Sequence, residues 1–355
     1  MYVPMLKWKQ GEYQALLRLD DEIKQHVFPF IDIPPIGWDF GKQRLMKTVD
    51  EHLKGFGKRL RDKWGSRPAF IDLVLLDQNE RMSDGMHPAE FVFNEVRAHS
   101  KAIVPVTSFD RDAAYQQALK NVVNADQNGL CIRLSFNDLI KGDVDLHLLS
   151  IHEYFNTEIS STDIVIDLEA PNFQPLTSFV NALRIAISKI GNVHHCRSLT
   201  ISATAFPETM GSLSLGDNFI DREEWNLFNE YRSLLADNER CPQFGDYTIA
   251  HPSVVNMDMR FVKPAASLRY TINDGWLIAK GRNVRDYKFG QYVDICGLVV
   301  SSGQFSGAPF SLGDKYISDC SKGNESTGTL TTWRWVGVNH HITKVVNDLA
   351  NLDAL

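Results

Sequence analysis

The sequence predicts an α/β fold: a (β/α)8 barrel of TIM type over residues 1–252, with a C-terminal hairpin and helical extension over 253–355 packed on it as one compact unit. Three observations carry this reading. Short apolar runs alternate with amphipathic helical patterns about eight times across the first 250 residues. Strands separated by one helix each must run parallel. Nearly every run also ends in a polar residue on one parity, as strand ends at a functional barrel rim do.

The expected strands are Tyr2 to Leu6, Val27 to Ile33, Ala69 to Leu76, Ala102 to Val106, Leu130 to Leu134, Ile164 to Leu168, Leu199 to Ala203 and Tyr247 to Ala250. Between them the pattern predicts helices over Glu12 to Gln25, Lys42 to Trp64, Pro88 to His99, Arg111 to Asp126, Val144 to Asn156, Pro175 to Ile190 and Asp221 to Ala236. In the second, Leu45, Val49, Leu53, Phe56, Leu60 and Trp64 line one face. Asp221 with Glu224 reads as a capping pair, and Pro88 and Pro175 suit first-turn positions. Beyond residue 252, SLRYTI and WLIAKG flank Asn273-Asp274-Gly275, a hairpin turn. Helices follow near Gln291 to Val300 and Thr343 to Asn351.

Composition excludes several classes. With 43% hydrophobic and 23% charged residues the chain is an ordinary globular one, and its formal charge of -7 argues against bulk nucleic-acid binding. No apolar leader opens it and no run of about 18 apolar residues occurs, so the expected location is the cytoplasm, with no membrane contact. Five cysteines without a C-x-x-C pair suit free thiols.

Side chains two apart share a strand face, so parity assigns a rim. Lys7 follows Val3 and Met5, Asp32 follows Phe30, Asp72 follows Phe70, and Thr107 follows Ile103 and Pro105. Arg133 follows Cys131, Asp167 and Glu169 follow Val165, Ser202 and Thr204 follow Thr200, and His251 follows Tyr247 and Ile249. Four carboxylates with a lysine, an arginine and a histidine suit three tasks: holding a divalent cation, positioning an anion, or sharing acid–base work. They equally suit a structural ion network. Asp72 and Asp167, in FIDL and VIDL, are the leading individual candidates, with Glu169 as a third ligand for Mg or Mn.

Other signals are weaker. His194-His195-Cys196 falls in a helix-to-strand loop at the opposite barrel end. Lys42 to Arg67 carries nine basic against three acidic residues and reads as a solvated helix face. The loop TAFPETMGSLSLGDN suits a lid or anion cradle without a P-loop fingerprint, and His340-His341 follows a polar-aromatic cluster, Thr331-Thr332-Trp333-Arg334.

The strings YVPMLKWKQGEYQAL, IDIPP, GDYTIAHP and the SLRYT hairpin, and above all SLGDKYISDC and TTWRWVGVNHHIT, together resemble the phage and prophage "beta protein" family. The resemblance spans nearly the whole chain. It implies a phage- or mobile-element-associated bacterial protein, a component of antiphage defence, and brings no catalytic set with it. Its recurrent strings direct attention to Arg269, Lys280, Asp314, Trp333, Arg334, Asn339, His340 and His341 as candidate ligand-binding or catalytic positions.

Two functions compete. In the first, an enzyme binds a phosphorylated or nucleotide-like substrate through Lys7, Arg133 and Arg269, a carboxylate-held metal polarises the scissile bond, and His251 or His340 is acid or base. In the second, the barrel is a scaffold that binds a protein partner through Trp333, Arg334 and the Gly303 to Asp314 segment.

Overall fold

The computed structural model describes residues 1–354 apart from 101, 238, 255–256 and 259. Eight parallel strands close into a barrel: β1 (Tyr2–Leu6), β2 (Phe30–Asp32), β3 (Ala69–Asp72), β4 (Ile103–Thr107), β5 (Leu130–Ser135), β6 (Thr162–Asp167), β7 (Ser198–Ala203) and β9 (Gln243–Asp246), the last pairing with both β7 and β1. The remaining strand of this stretch, β8 (Gly216–Asp221), leaves the barrel and forms an antiparallel sheet with β11 (Gly275–Asn283), which β10 (Ala265–Thr271) completes. The named helices are α1 (Gln10–Leu17), α2 (Phe56–Trp64), α3 (Pro88–Arg97), α4 (Ala113–Asp126), α5 (Val144–Phe155), α6 (Leu176–Ile187), α7 (Glu223–Ser233), α8 (Tyr292–Ser301), α9 (Leu312–Ser321) and α10 (Leu330–Asp353).

Strand alternation produces two apolar layers. Val3, Met5, Phe30, Phe70, Val104, Val106, Cys131, Val165 and Tyr247 fill the barrel, while Ile31, Ile71, Ile132, Ile164, Ile166 and Ile201 face outward to the helices. A further core, with Leu268, Tyr270, Leu277, Tyr292, Cys296, Ile317 and Trp333, lies between the antiparallel sheet and α8, α9 and α10. α10 joins the two, because Trp333 and Val336 belong to this core whereas Val338, Ile342 and Val345 pack on the barrel. Among the described residues no helix is long and apolar enough to cross a membrane.

The structure corrects several expectations. The eighth strand is Gln243–Asp246, four residues before the apolar run, and Tyr247 to Ala250 is the turn after it. Its tight spot is Gly245, where a Cβ would stand 3.0 Å from the Ser202 Cβ and 3.1 Å from the Val3 carbonyl, so the packing demands a residue with no apolar signal. β4 is one residue out of the expected parity: Val104 and Val106 fill the barrel, and Thr107 faces outward to donate to Gln116 of α4.

The region expected as one helix over Lys42 to Trp64 is divided, with a short hairpin pairing Trp38–Asp39 and Arg44–Leu45, a turn of helix at Val49–Leu53, and a break at Lys54 and left-handed Gly55 before α2. Glu12 to Gln25 divides similarly into α1 and Asp21–Lys24. Asp221 ends β8 instead of capping α7, and the Glu224 carboxylate accepts from the Ala205 N–H. Pro175 is the residue before α6, not in its first turn. The loop expected as a lid supplies β8, and the last helix begins at Leu330 because buried polar Asn339, His340 and His341 interrupt its apolar period.

Candidate functional site at the barrel mouth

The parallel register sets Asp32 beside Asp72 and Asp167 beside Ser202 at the C-terminal strand ends, where inward side chains converge. Arg133, one pleat below the end of β5, stands among them. Its Nη1 donates to Asp32 at 3.0 Å and Asp72 at 3.2 Å, and its Nε and Nη2 donate to one oxygen of Asp167 at 2.9 and 2.5 Å. The Tyr247 hydroxyl donates to that same oxygen at 2.6 Å, and the Phe30 ring lies 5.1 Å from the guanidinium. Arg111, from the loop before α4, places Nη2 on both oxygens of Asp72 at 2.6 and 2.9 Å.

Charge in a buried site follows its partners. Burial raises Asp32 to about 7; Arg133 opposes this, and the neighbouring charges of Asp72 and Asp167 reinforce it. Burial alone would lower Arg133, yet Asp32, Asp167, Tyr247 and Asp72 together hold it well above its ordinary value. Burial and Asp167 push the Tyr247 hydroxyl well up.

A cleft of about 390 Å³ opens beside this cluster, lined by Arg111, His87, Tyr115, Asp77, Asp110 and Asp112 among others. It lies where α3 and α4 begin, with Pro88 in the first turn of α3 and the Asp112 carboxylate capping α4. Arg111 Nη1 takes part in no hydrogen bond among the described residues, and its buried Nε finds no partner. The His87 Nδ1 accepts from the Ala89 N–H, and burial followed by Arg81 lowers its pKa, so the ring is neutral.

The other expected site residues are placed as follows. Lys7 reaches the mouth but donates to the carbonyls of His251, Pro252 and Ser253 at 3.0, 2.5 and 2.8 Å, which uses its three protons. Burial, then Lys9, lowers it to about 8. Glu169 is exposed with φ at 55°, contributing its N–H to Asp167, and His251 lies in the loop after β9 with Nδ1 accepting from Ser253. Ser202 faces into the barrel with its hydroxyl unpartnered, and Thr204 caps the turn at Phe206. No group of three or more potential metal ligands occurs among the described residues. Of the three expected cation ligands, Asp72 and Asp167 share the Arg133 guanidinium between them, and Glu169 is exposed.

Of the C-terminal candidates, His340, His341, Asn339 and Asp314 are internal fasteners, while Arg269, Arg334 and Lys280 bond to the loops that follow β9 and β7. His341 Nε2 contacts Asp246 at 2.9 Å and Tyr2 at 3.2 Å, and its Nδ1 contacts Thr271 at 2.8 Å, outside the barrel wall. His340 lies between Asp314 and the Thr271 carbonyl, each at 2.8 Å. Asn339 accepts from Gly313, and Lys280 donates to the carbonyls of Met210 and Leu213. Trp333 is buried and stacks on Tyr292 at 4.3 Å, and its Nε1 donates to the Thr327 carbonyl. Arg269 and Arg334 share a separate pocket with Trp333. Sequence reasoning missed Arg111, placed at a helix start, and Tyr247, read as apolar filler; the only signal was that each lies near a predicted strand end.

Fold and mouth define a (β/α)8-barrel protein with a charged cluster at its C-terminal rim and a sheet-and-helix unit fused to its side. The chain belongs to the Beta protein family, whose sequence profile matches residues 2–347. No curated protein matches it.

Proposed function

We propose that the cleft at the mouth binds and hydrolyses a phosphorylated or nucleotide-like small molecule, and that the charged cluster behind it holds the binding arginine in place. The observation that carries this reading is the position of Arg111, which lines the cleft while its Nη2 is fixed to both oxygens of buried Asp72. Arg111 suits the anionic part, and Asp77 and Asp110 suit hydroxyls. The volume is that of a small-ligand site. The hydrogen-bonded series Arg111, Asp72, Arg133, Asp32 fixes the cleft arginine to the buried cluster, where every link is a guanidinium on a carboxylate.

Calorimetric titration with nucleoside monophosphates and sugar phosphates, with NMR detection of products, tests this. Arg111→Gln should weaken binding by about tenfold or more. Equal binding by the variant would remove the reading. The phage association and the role in antiphage defence belong to the same proposal: a host carrying the gene should restrict plaque formation, and Arg111→Gln should abolish the restriction.

A second reading, a module that binds a protein partner, draws support from α5. There Leu146 and Leu149 are exposed beside an apolar groove of about 380 Å³ lined by Phe109, Ile151 and Tyr154. Leu146→Asp with Leu149→Asp would abolish partner capture under this reading and leave ligand titrations unchanged.

A further inference from the structure

Arg269 of β10 and Arg334 of α10 converge on one oxygen. Arg269 Nη1 donates to the Ile249 carbonyl at 2.7 Å and Arg334 Nη1 to the same carbonyl at 3.3 Å. Neither has a carboxylate partner among the described residues, although other deeply placed guanidinium groups here do, Arg111, Arg133 and Arg222 among them. Both border a pocket of about 200 Å³ walled by Tyr292 and Trp333, with Ser267 on the strand side. A guanidinium has five N–H donors, and each of these uses one within the protein.

The arginines are also held in place. The Arg269 guanidinium lies 5.0 Å from the Phe206 ring. The stem of Arg334 packs so closely on α1 that a Cβ at Gly11 would fall 2.3 Å from its Cγ. Burial, then the like charge of Arg334, pushes Arg269 down to about 9, the direction expected of a cation lacking its counter-ion. Lys7 adds further positive charge nearby, its own pKa lowered in part by Arg334.

We infer that this pocket is a binding site for a phosphoryl group, separate from the mouth cleft and independent of the function proposed for it. Two forked donors arriving from different elements suit a tetrahedral oxyanion, whose three or four oxygens can serve both, better than a carboxylate, which one bidentate arginine satisfies. The volume admits a phosphoryl group with a small remainder and is too small for a whole nucleotide. The ligand is therefore free phosphate or a compact phosphate monoester.

The test is calorimetric titration of the full chain with inorganic phosphate, glycerol 3-phosphate and acetate at low ionic strength, with Arg334→Gln and Arg334→Lys alongside, and thermal melts of all three proteins without phosphate. Saturable phosphate binding, at least about tenfold weaker in Arg334→Gln and partly kept in Arg334→Lys, supports the site. Tighter binding of glycerol 3-phosphate would assign a monoester, and equal binding the free ion. Without phosphate, Arg334→Gln should melt no lower than the parent, because it relieves repulsion from Arg269. Absence of saturable phosphate binding, acetate binding as tight as phosphate, or a phosphate response unchanged in Arg334→Gln would overturn the proposal. Phosphate binding lost in Arg111→Gln and kept in Arg334→Gln would place the anion in the mouth cleft instead and overturn the proposal.

Discussion

Arg133 donates to Asp32 across 3.0 Å, yet Asp32 is raised to about 7, because one guanidinium shared among three buried carboxylates cannot offset the burial of each. A carboxyl whose folded pKa lies above its unfolded value near 4 favours the folded state below that value, and the advantage is lost as pH rises through about 7. Asp32→Asn, which resembles the protonated side chain, should therefore match the parent near pH 4. Near pH 8 it should be more stable by roughly 1–3 kcal/mol. Urea denaturation at the two pH values measures this, and an equal effect at both would show that Asp32 does not titrate in this window.

Removing the guanidinium has the opposite sign. Arg133→Met leaves Asp32, Asp72 and Asp167 facing one another in a buried space with Arg111 reaching only Asp72. The expected destabilisation is about 3–5 kcal/mol, and Arg133→Lys should recover little because a single ammonium cannot serve three directions. Equilibrium unfolding that places Arg133→Met within about 1 kcal/mol of the parent would show that the carboxylates simply take up protons.

Much of this mouth was legible because parity alone places Asp32, Asp72, Arg133 and Asp167 on one inner face. Parity says nothing of how side chains from different strands meet, so Arg133 as the common partner, and Lys7 as a fastener of carbonyls, emerge only in three dimensions. Arg111 was hidden by position, since a residue just before a helix reads as part of it. α10 was shortened because a helix that crosses from one core to another buries polar residues all round, and His340, His341 and Asn339 break the apolar stripe that marks a helix. β9 was displaced for a related reason, its inward residue being glycine.

That glycine makes a direct prediction. Gly245→Ala would place a methyl 3.0 Å from the Ser202 Cβ, 3.1 Å from the Thr200 Cγ2 and 3.1 Å from the Val3 carbonyl, with rigid strands on both sides. Overpacking of this kind costs about 1–3 kcal/mol, whereas alanine in place of a strand glycine with free space would be stabilising. A raised melting temperature in Gly245→Ala would mean that the strand closing the barrel is looser than described.

His340 and Asp314 form another buried pair, outside the barrel. The ring stacks on Tyr270 at 3.8 Å, its Nδ1 meets Asp314 Oδ2, and its Nε2 meets the Thr271 carbonyl, both at 2.8 Å. A carbonyl only accepts, so Nε2 carries a hydrogen, and Asp314 also receives the hydroxyls of Tyr270 and Ser311. His340→Leu would strand the Asp314 charge with hydroxyl partners alone, at an expected cost of about 3–5 kcal/mol. The double variant His340→Leu with Asp314→Leu removes both partners and should recover part of that loss, because an apolar pair of similar volume is often neutral in place of a buried ion pair. Urea unfolding of the parent, both single variants and the double variant closes the cycle. Losses that merely add would show that the histidine is held by stacking on Tyr270, and that its contact with Asp314 contributes nothing to the joint between α9 and α10.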